Sequence, residues 1–244
     1  MSTTHNQHAC HLCHKVSGLS RSHIIPKFVY KPCLYKNDKN RFWVLSSNPE
    51  SPERPEQRQI RERILCKSCE IHVGKYETYA SKLFNLSIKD PYQEGKLISF
   101  PQVDYTSIRL FYLSILWRMS VSNHSFFDEV NLGKHEQILR KKLLAGEAPA
   151  SDRYSFWCTV PLVEGNFHSD WILQPQRIKL AGQTAYRMIL NGILVIFMVS
   201  CTRVPSSLRP LILEREGTWR LLVKPAEEIE FLKSWILATQ KINS

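Results

Sequence analysis

Two kinds of apolar pattern run along this chain, and the change between them divides it. In the stretch 104–123, apolar residues recur at Ile108, Phe111, Tyr112, Ile115, Leu116 and Met119. That spacing of three and four predicts a helix. Trp117 stands beside the stripe, so the helix is expected to be buried on more than one side. Asp104 is its natural N-cap. A second helix is predicted over 133–144, with Arg140, Lys141 and Lys142 near its end. After Ser151 the pattern changes to short apolar runs. Residues 156–163, 171–174, 185–190, 194–201, 211–214 and 218–223 read as strands, with a hairpin signal at Asn191-Gly192 and a turn at Arg215-Glu216-Gly217. A last helix is predicted over 226–241. The expected fold class is α+β. A domain spanning 101–244 lays helices on an antiparallel sheet, and it carries no nucleotide-binding glycine loop, internal repeat or nucleophile motif. Its longest apolar run, 192–201, is shorter than the roughly 18 residues that a membrane span needs.

The first hundred residues read differently. Cys10/Cys13 and Cys66/Cys69 form two Cys-x-x-Cys knuckles. One knuckle presents two thiolates to one side of an ion, and two knuckles complete a tetrahedral shell, which points to a structural zinc. The N-terminus is polar and lacks the apolar core of a signal peptide, so a reducing, cytoplasmic setting is expected, where paired knuckles favour metal over disulfides. His11 and His14 crowd the first knuckle and are alternative ligands; two pairs of buried thiols are the plainer alternative. Cys33, Cys158 and Cys201 have no knuckle partner. The segment 14–65 between the knuckles is too long for a simple finger and must hold structure of its own. Within it, Asn48-Pro49-Glu50-Ser51-Pro52-Glu53-Arg54-Pro55-Glu56 reads as an exposed loop. A helix is predicted over 66–84. Glu70 and Glu77 share one of its stripes, about 10.5 Å apart along the axis, and His72 points elsewhere.

Between the knuckles lies Ser22-His23-Ile24-Ile25-Pro26, and the second knuckle reads Ile64-Leu65-Cys66-Lys67-Ser68-Cys69-Glu70. In this frame, residues 10–84 resemble the HNH (ββα-metal) endonuclease family. The resemblance implies a zinc-stapled ββα unit within a 1–100 nuclease domain. It implies that His23, closing the first strand, is the general base that deprotonates the attacking water. It also implies a catalytic magnesium or manganese ion distinct from the zinc. Three positions depart from the family pattern. Ser22 replaces the usual metal ligand before the base, no Asn stands at 58–63, and Glu70 occupies the position of the last His or Asn. A carboxylate is a competent ligand for a hard divalent ion, so the catalytic pair carried over is His23 and Glu70.

Charge supports a polyanionic partner. The formal net charge is +11, and residues 1–90 hold 15 Lys and Arg against 8 Asp and Glu. Lys27, Lys31 and Arg41, interleaved with Tyr30, Tyr35, Phe42 and Trp43, suit contact with phosphates and bases, although a strand with one packed face explains the aromatics equally well. The function that the resemblance implies is metal-dependent hydrolysis of nucleic acid, DNA first, with defence against phage or mobile DNA as its setting. The competing expectation is a non-catalytic zinc-binding adaptor for nucleic acid or protein. The 101–244 domain would then serve target choice, control, a protein partner or homo-oligomerisation.

Overall fold

The computed structural model describes residues 8–35, 42–45, 54–56, 59–87, 97–199 and 204–233. They form an α+β protein whose contacts cluster into two compact units. Neither unit is one continuous stretch. The first draws on residues 8–27, 59–87 and 104–150, and the second on the remainder. The two helices expected to open the C-terminal domain therefore group with the cysteine-bearing residues.

The first unit begins with a short hairpin, β1 (His8–Ala9) and β2 (Val16–Ser17). Strand β3 (Leu19–His23) follows. Helix α1 (Lys27–Tyr35), β4 (Phe42–Leu45) and β5 (Arg54–Glu56) come next in the chain. Strand β6 (Arg61–Cys66) then returns antiparallel to β3 and leads directly into α2 (Lys67–Ser87). The two strands and α2 make a ββα arrangement. Of the aromatics for which a strand was one expectation, Phe42 and Trp43 lie on β4, whereas Tyr30 and Tyr35 lie on α1, because proline at 26 is well suited to a helix start. Part of the expected proline-rich loop is strand β5, which among the described residues pairs with β4 at the sheet edge, where proline is tolerated.

After β7 (Leu97–Phe100), α3 (Tyr105–Ser120) starts where the sequence places it. The Asp104 carboxylate accepts from the Ser107 N–H at 3.1 Å. It is buried almost all round, from Ile108 to Met119, including Arg109 and Arg118. Phe111 of α3 meets Phe84 of α2 at 6.4 Å between ring centres. Helix α4 (Lys134–Ala145) is tied to α3 by Ser120 Oγ donating to Glu136 at 2.7 Å.

The second unit is built on a sheet of nine described strands. It contains β8 (Phe156–Val163), β9 (Asn166–Phe167), β10 (Ile172–Leu180), β11 (Gln183–Leu190), β12 (Ile193–Met198) and β13 (Trp219–Pro225). The order is β5-β4-β10-β11-β12-β8-β13-β7, with β9 beside β8. Most neighbours are antiparallel as expected, but β4 with β10 and β13 with β8 run parallel, because long connections rather than hairpins bring those pairs together. Asn191 and Gly192 both take positive φ, 55° and 74°, as a two-residue hairpin of matching twist requires. A side chain at Gly192 would stand 2.3 Å from the His168 carbonyl. The expected strand at 211–214 is instead the end of a tight turn of helix, Ser206–Leu211, whose proline at 210 removes a ladder donor. The predicted final helix opens with a short helical turn, Ala226–Glu228, continues as α-helix over 230–233, and its remainder beyond 233 lies outside the described residues. No described helix is long and apolar enough to cross a membrane.

One buried cation braces the first unit. Arg118, 2 % exposed, places Nη1 2.7 Å from a Glu77 carboxylate oxygen on α2 and donates to the His23 carbonyl at 2.7 Å. Glu77→Leu should therefore cost more stability than Arg118→Leu. The first strands a buried cation, typically a loss of about 3–5 kcal/mol, and the second leaves a carboxylate that can reach water. Urea denaturation of the two variants measures the order, and equal midpoints would remove Arg118 from this role.

Candidate metal centre and histidine site

The two knuckles converge although 53 residues separate Cys13 from Cys66. Cys10, Leu12 and Cys13 occupy the turn between β1 and β2, held by the His14 N–H donating to the Cys10 carbonyl at 2.8 Å and the Cys10 N–H to Lys15 at 3.0 Å. Cys66 is the last residue of β6 and Cys69 lies in the first turn of α2. The knuckles are laced together by the backbone: the His11 N–H donates to the Ile64 carbonyl at 2.9 Å, and the Cys66 N–H to the Cys10 sulfur at 3.3 Å. Arg140 of α4 braces the first turn by donating to the Leu12 carbonyl at 2.6 Å.

All four sulfurs lie within 4.8 Å of one another, and Cys13 Sγ is 3.8 Å from Cys66 Sγ. A tetrahedral ion bound at about 2.3 Å by thiolates sets its sulfurs about 3.8 Å apart. The donor set therefore fits a metal ion. His11 and His14 are exposed and are not part of the group. Burial pushes the Cys10 and Cys69 thiols up. At Cys66 burial also acts upward, but hydrogen bonds from Ser68, the Cys69 backbone and the neighbouring thiols outweigh it and bring that thiol down to about 6. One sulfur is thus ready to ionise first, and the start of α2, with its positive dipole end, favours that charge.

His23 ends β3 and is half-buried. Its Nε2 lies 2.7 Å from Gln59 Oε1, which also accepts from Arg61 Nη2 at 3.1 Å. In that bond Nε2 carries the proton, so Nδ1 is the free acceptor of the neutral ring. Burial lowers the His23 pKa most; Arg61 and Arg118 act the same way, and the Gln59 hydrogen bond and Glu77 oppose them. Ser22, before it, is fully buried with no partner for its hydroxyl.

The carboxylate acting on His23 is Glu77, already paired with Arg118. Glu70 sits in the first turn of α2 beside Cys69, with one oxygen buried and unpartnered, and is not among the groups acting on the imidazole. The stripe shared by Glu70 and Glu77 was legible, but which of the two faces His23 was not. Gln59 and Arg118 had no sequence signal at all. His72, which points away from that stripe, donates from Nε2 to the Leu143 carbonyl of α4 at 2.7 Å. Lys27 and Lys31 are exposed, and Arg41 lies outside the described residues.

No family model matches the chain, and no curated protein or solved structure matches it significantly.

Two outcomes follow from this geometry. Purified protein should carry one metal ion per chain, and Cys66→Ser should lose it together with thermal stability, because binding at such a site is folding free energy. Elemental analysis alongside melting curves reads both; metal-free wild type with four titratable thiols in the folded state would contradict it. The depressed His23 pKa also makes stability depend on pH. As pH falls through the usual imidazole value near 6.5, the unfolded chain binds its proton first, and the His23 contribution is lost from there down to the lower folded value. His135, also lowered by burial, acts with the same sign, so His23→Gln should flatten but not abolish the acid limb.

Proposed function

We propose that the first unit is an HNH-type endonuclease head, with zinc in the four-cysteine cluster and His23 as general base on a water that attacks a nucleic-acid phosphodiester. The observation that carries the reading is the placement of His23. It stands at the end of the first strand of a ββα arrangement whose second strand and helix meet at Cys66, a member of the cluster. A neutral imidazole with Nε2 held by Gln59 presents Nδ1 as proton acceptor at neutral pH. A divalent ion in such a site polarises the phosphate and stabilises the leaving oxygen. Magnesium is commonly held by one or two carboxylates plus substrate phosphates. On this chain Glu77 is better placed for that than Glu70, since it is the carboxylate that acts on His23. The engagement of Glu77 by Arg118 favours the second reading, a zinc-stapled adaptor that binds without cleaving.

His23→Ala should lower magnesium- or manganese-dependent cleavage of DNA by about 10²–10⁴-fold while leaving metal content in place. Cleavage by wild type should fall on the acid side only below the usual imidazole range, because burial depresses the His23 pKa. Glu77→Gln should cut the rate and be partly rescued by high manganese, and Glu70→Gln should cut it less. Equal cleavage by wild type and His23→Ala, or none by either, leaves the adaptor.

A further inference from the structure

The β3–β6 ribbon collects three arginines around His23. Pairing sets Leu19 opposite Cys66 and Ser20 opposite Leu65, then shifts at a bulge so that Arg21 faces Arg63, Ser22 faces Glu62 and His23 faces Arg61. Without the shift, Arg21 would face Ile64, Ser22 would face Arg63, and His23 would face the Glu62 carboxylate. Directly opposed residues share a face, and alternate residues return to it. The bulge therefore gathers Arg21, His23, Arg61 and Arg63 on one face. Burial agrees: the three arginines are exposed, whereas Ser22 on the other face is fully buried.

The ribbon's own carboxylate is turned away from that face and occupied. Glu62 accepts from Ser122 Oγ and from the Asn123 N–H at 3.0 Å. No described carboxylate pairs with Arg21, Arg61 or Arg63. Arg61 donates to Gln59 at 3.1 Å and Arg63 to the Leu19 carbonyl at 3.1 Å, which positions both guanidinium groups while leaving most of their donors free. Arginine directly opposite arginine is destabilising in a sheet. Among the described residues that repulsion meets no paired counter-charge.

We propose that this face is a binding site for the phosphodiester backbone of nucleic acid, with Arg21, Arg61 and Arg63 as its phosphate contacts and His23 beside them at the end of β3. Neighbouring strands are about 4.8 Å apart and alternate residues about 6.7 Å apart along a strand, a spread of positive charge that suits a chain of successive phosphates. Planar guanidinium forks match phosphate oxygens bidentately, which favours a phosphate chain over a scatter of carboxylates. The site differs from the basic residues that the sequence singles out, Lys27 and Lys31, which lie beyond the end of β3. The proposal rests on the endonuclease reading only in naming the anion as a phosphodiester.

The test measures binding without cleavage. Full-length metal-loaded protein is titrated with labelled single- and double-stranded DNA of random sequence, across a salt series, with no magnesium or manganese added. Wild-type affinity should fall steeply with salt. The triple variant Arg21→Gln, Arg61→Gln, Arg63→Gln should reduce the slope of log K against log salt by about 2–3, since each phosphate contact contributes about 0.7–0.9. It should bind at least tenfold more weakly at low salt. Its melting temperature should hold or rise, because the opposed charges are gone. The triple Arg→Lys variant should keep most of the slope, which guards against a folding artefact in the first variant. Lys27→Gln with Lys31→Gln should change the slope less than the arginine set. Unchanged binding by the Arg→Gln variant, no binding of DNA at low salt, or equal affinity for polyglutamate would each overturn the proposal. Salt-sensitive binding that depends on the arginines, with no cleavage once metal is added, would support it and defeat the endonuclease reading alone.

Discussion

The carbonyl of His23 is the point on which the first unit turns. It belongs to the last residue of a strand, and the donor that satisfies it is the guanidinium of Arg118, delivered from the far end of α3. Burying that cation is tolerable because Glu77 on α2 meets it at 2.7 Å. One charge-assisted network thus fixes β3, α2 and α3 against each other. It also fixes the φ/ψ of the residue that carries the imidazole. A histidine held only by its own side-chain bond to Gln59 could rotate or fray with the strand end. Here its backbone is pinned from behind while the ring faces forward.

The cysteine cluster does complementary work at the other end of the ribbon. Strands β3 and β6 are separated by a long insert, and closing a long loop has an entropic cost that grows slowly with length. Sulfurs drawn to a common point offset that cost where β6 passes into α2 and where the β1–β2 turn begins. Arg140 adds a brace from α4. With both ends of the ribbon fixed, the insert between its strands can carry elements of another unit, α1 onward through β5, without loosening the register of β3 on β6.

Much of this was legible because periodicity and covalent spacing report local structure. The α3 stripe with its Asp104 cap, strand β8, the Asn191-Gly192 hairpin and the convergence of the knuckles all follow from near neighbours or from ligand chemistry. What escaped the sequence depends on tertiary placement. The parallel pairing of β4 with β10 brings together residues far apart in the chain. Glu70 and Glu77 look alike on a helical wheel, and only the position of α3, which supplies Arg118, makes one of them the neighbour of His23. The bulge at Ser20 and Arg21 has no residue signature either; no glycine marks it, and it is visible only as a change of register.

That register change links the electrostatics of the ribbon to the chemistry of the histidine. A regular ladder would set His23 opposite Glu62, and a facing carboxylate would raise the imidazole pKa and favour its charged form. The bulged ladder sets it opposite Arg61 instead, and burial and cations together hold it low and neutral. A neutral imidazole is a proton acceptor but, when desolvated and flanked by Arg61 and Arg118, a weaker one, with Gln59 and Glu77 opposing in part. A polyanion paired with Arg61 would cancel that part of the positive field and so raise the His23 pKa. On the endonuclease reading proposed above, the base would become stronger when a phosphodiester backbone is in place. On the proposed reading, binding and proton abstraction would then be coupled through the Arg61 guanidinium.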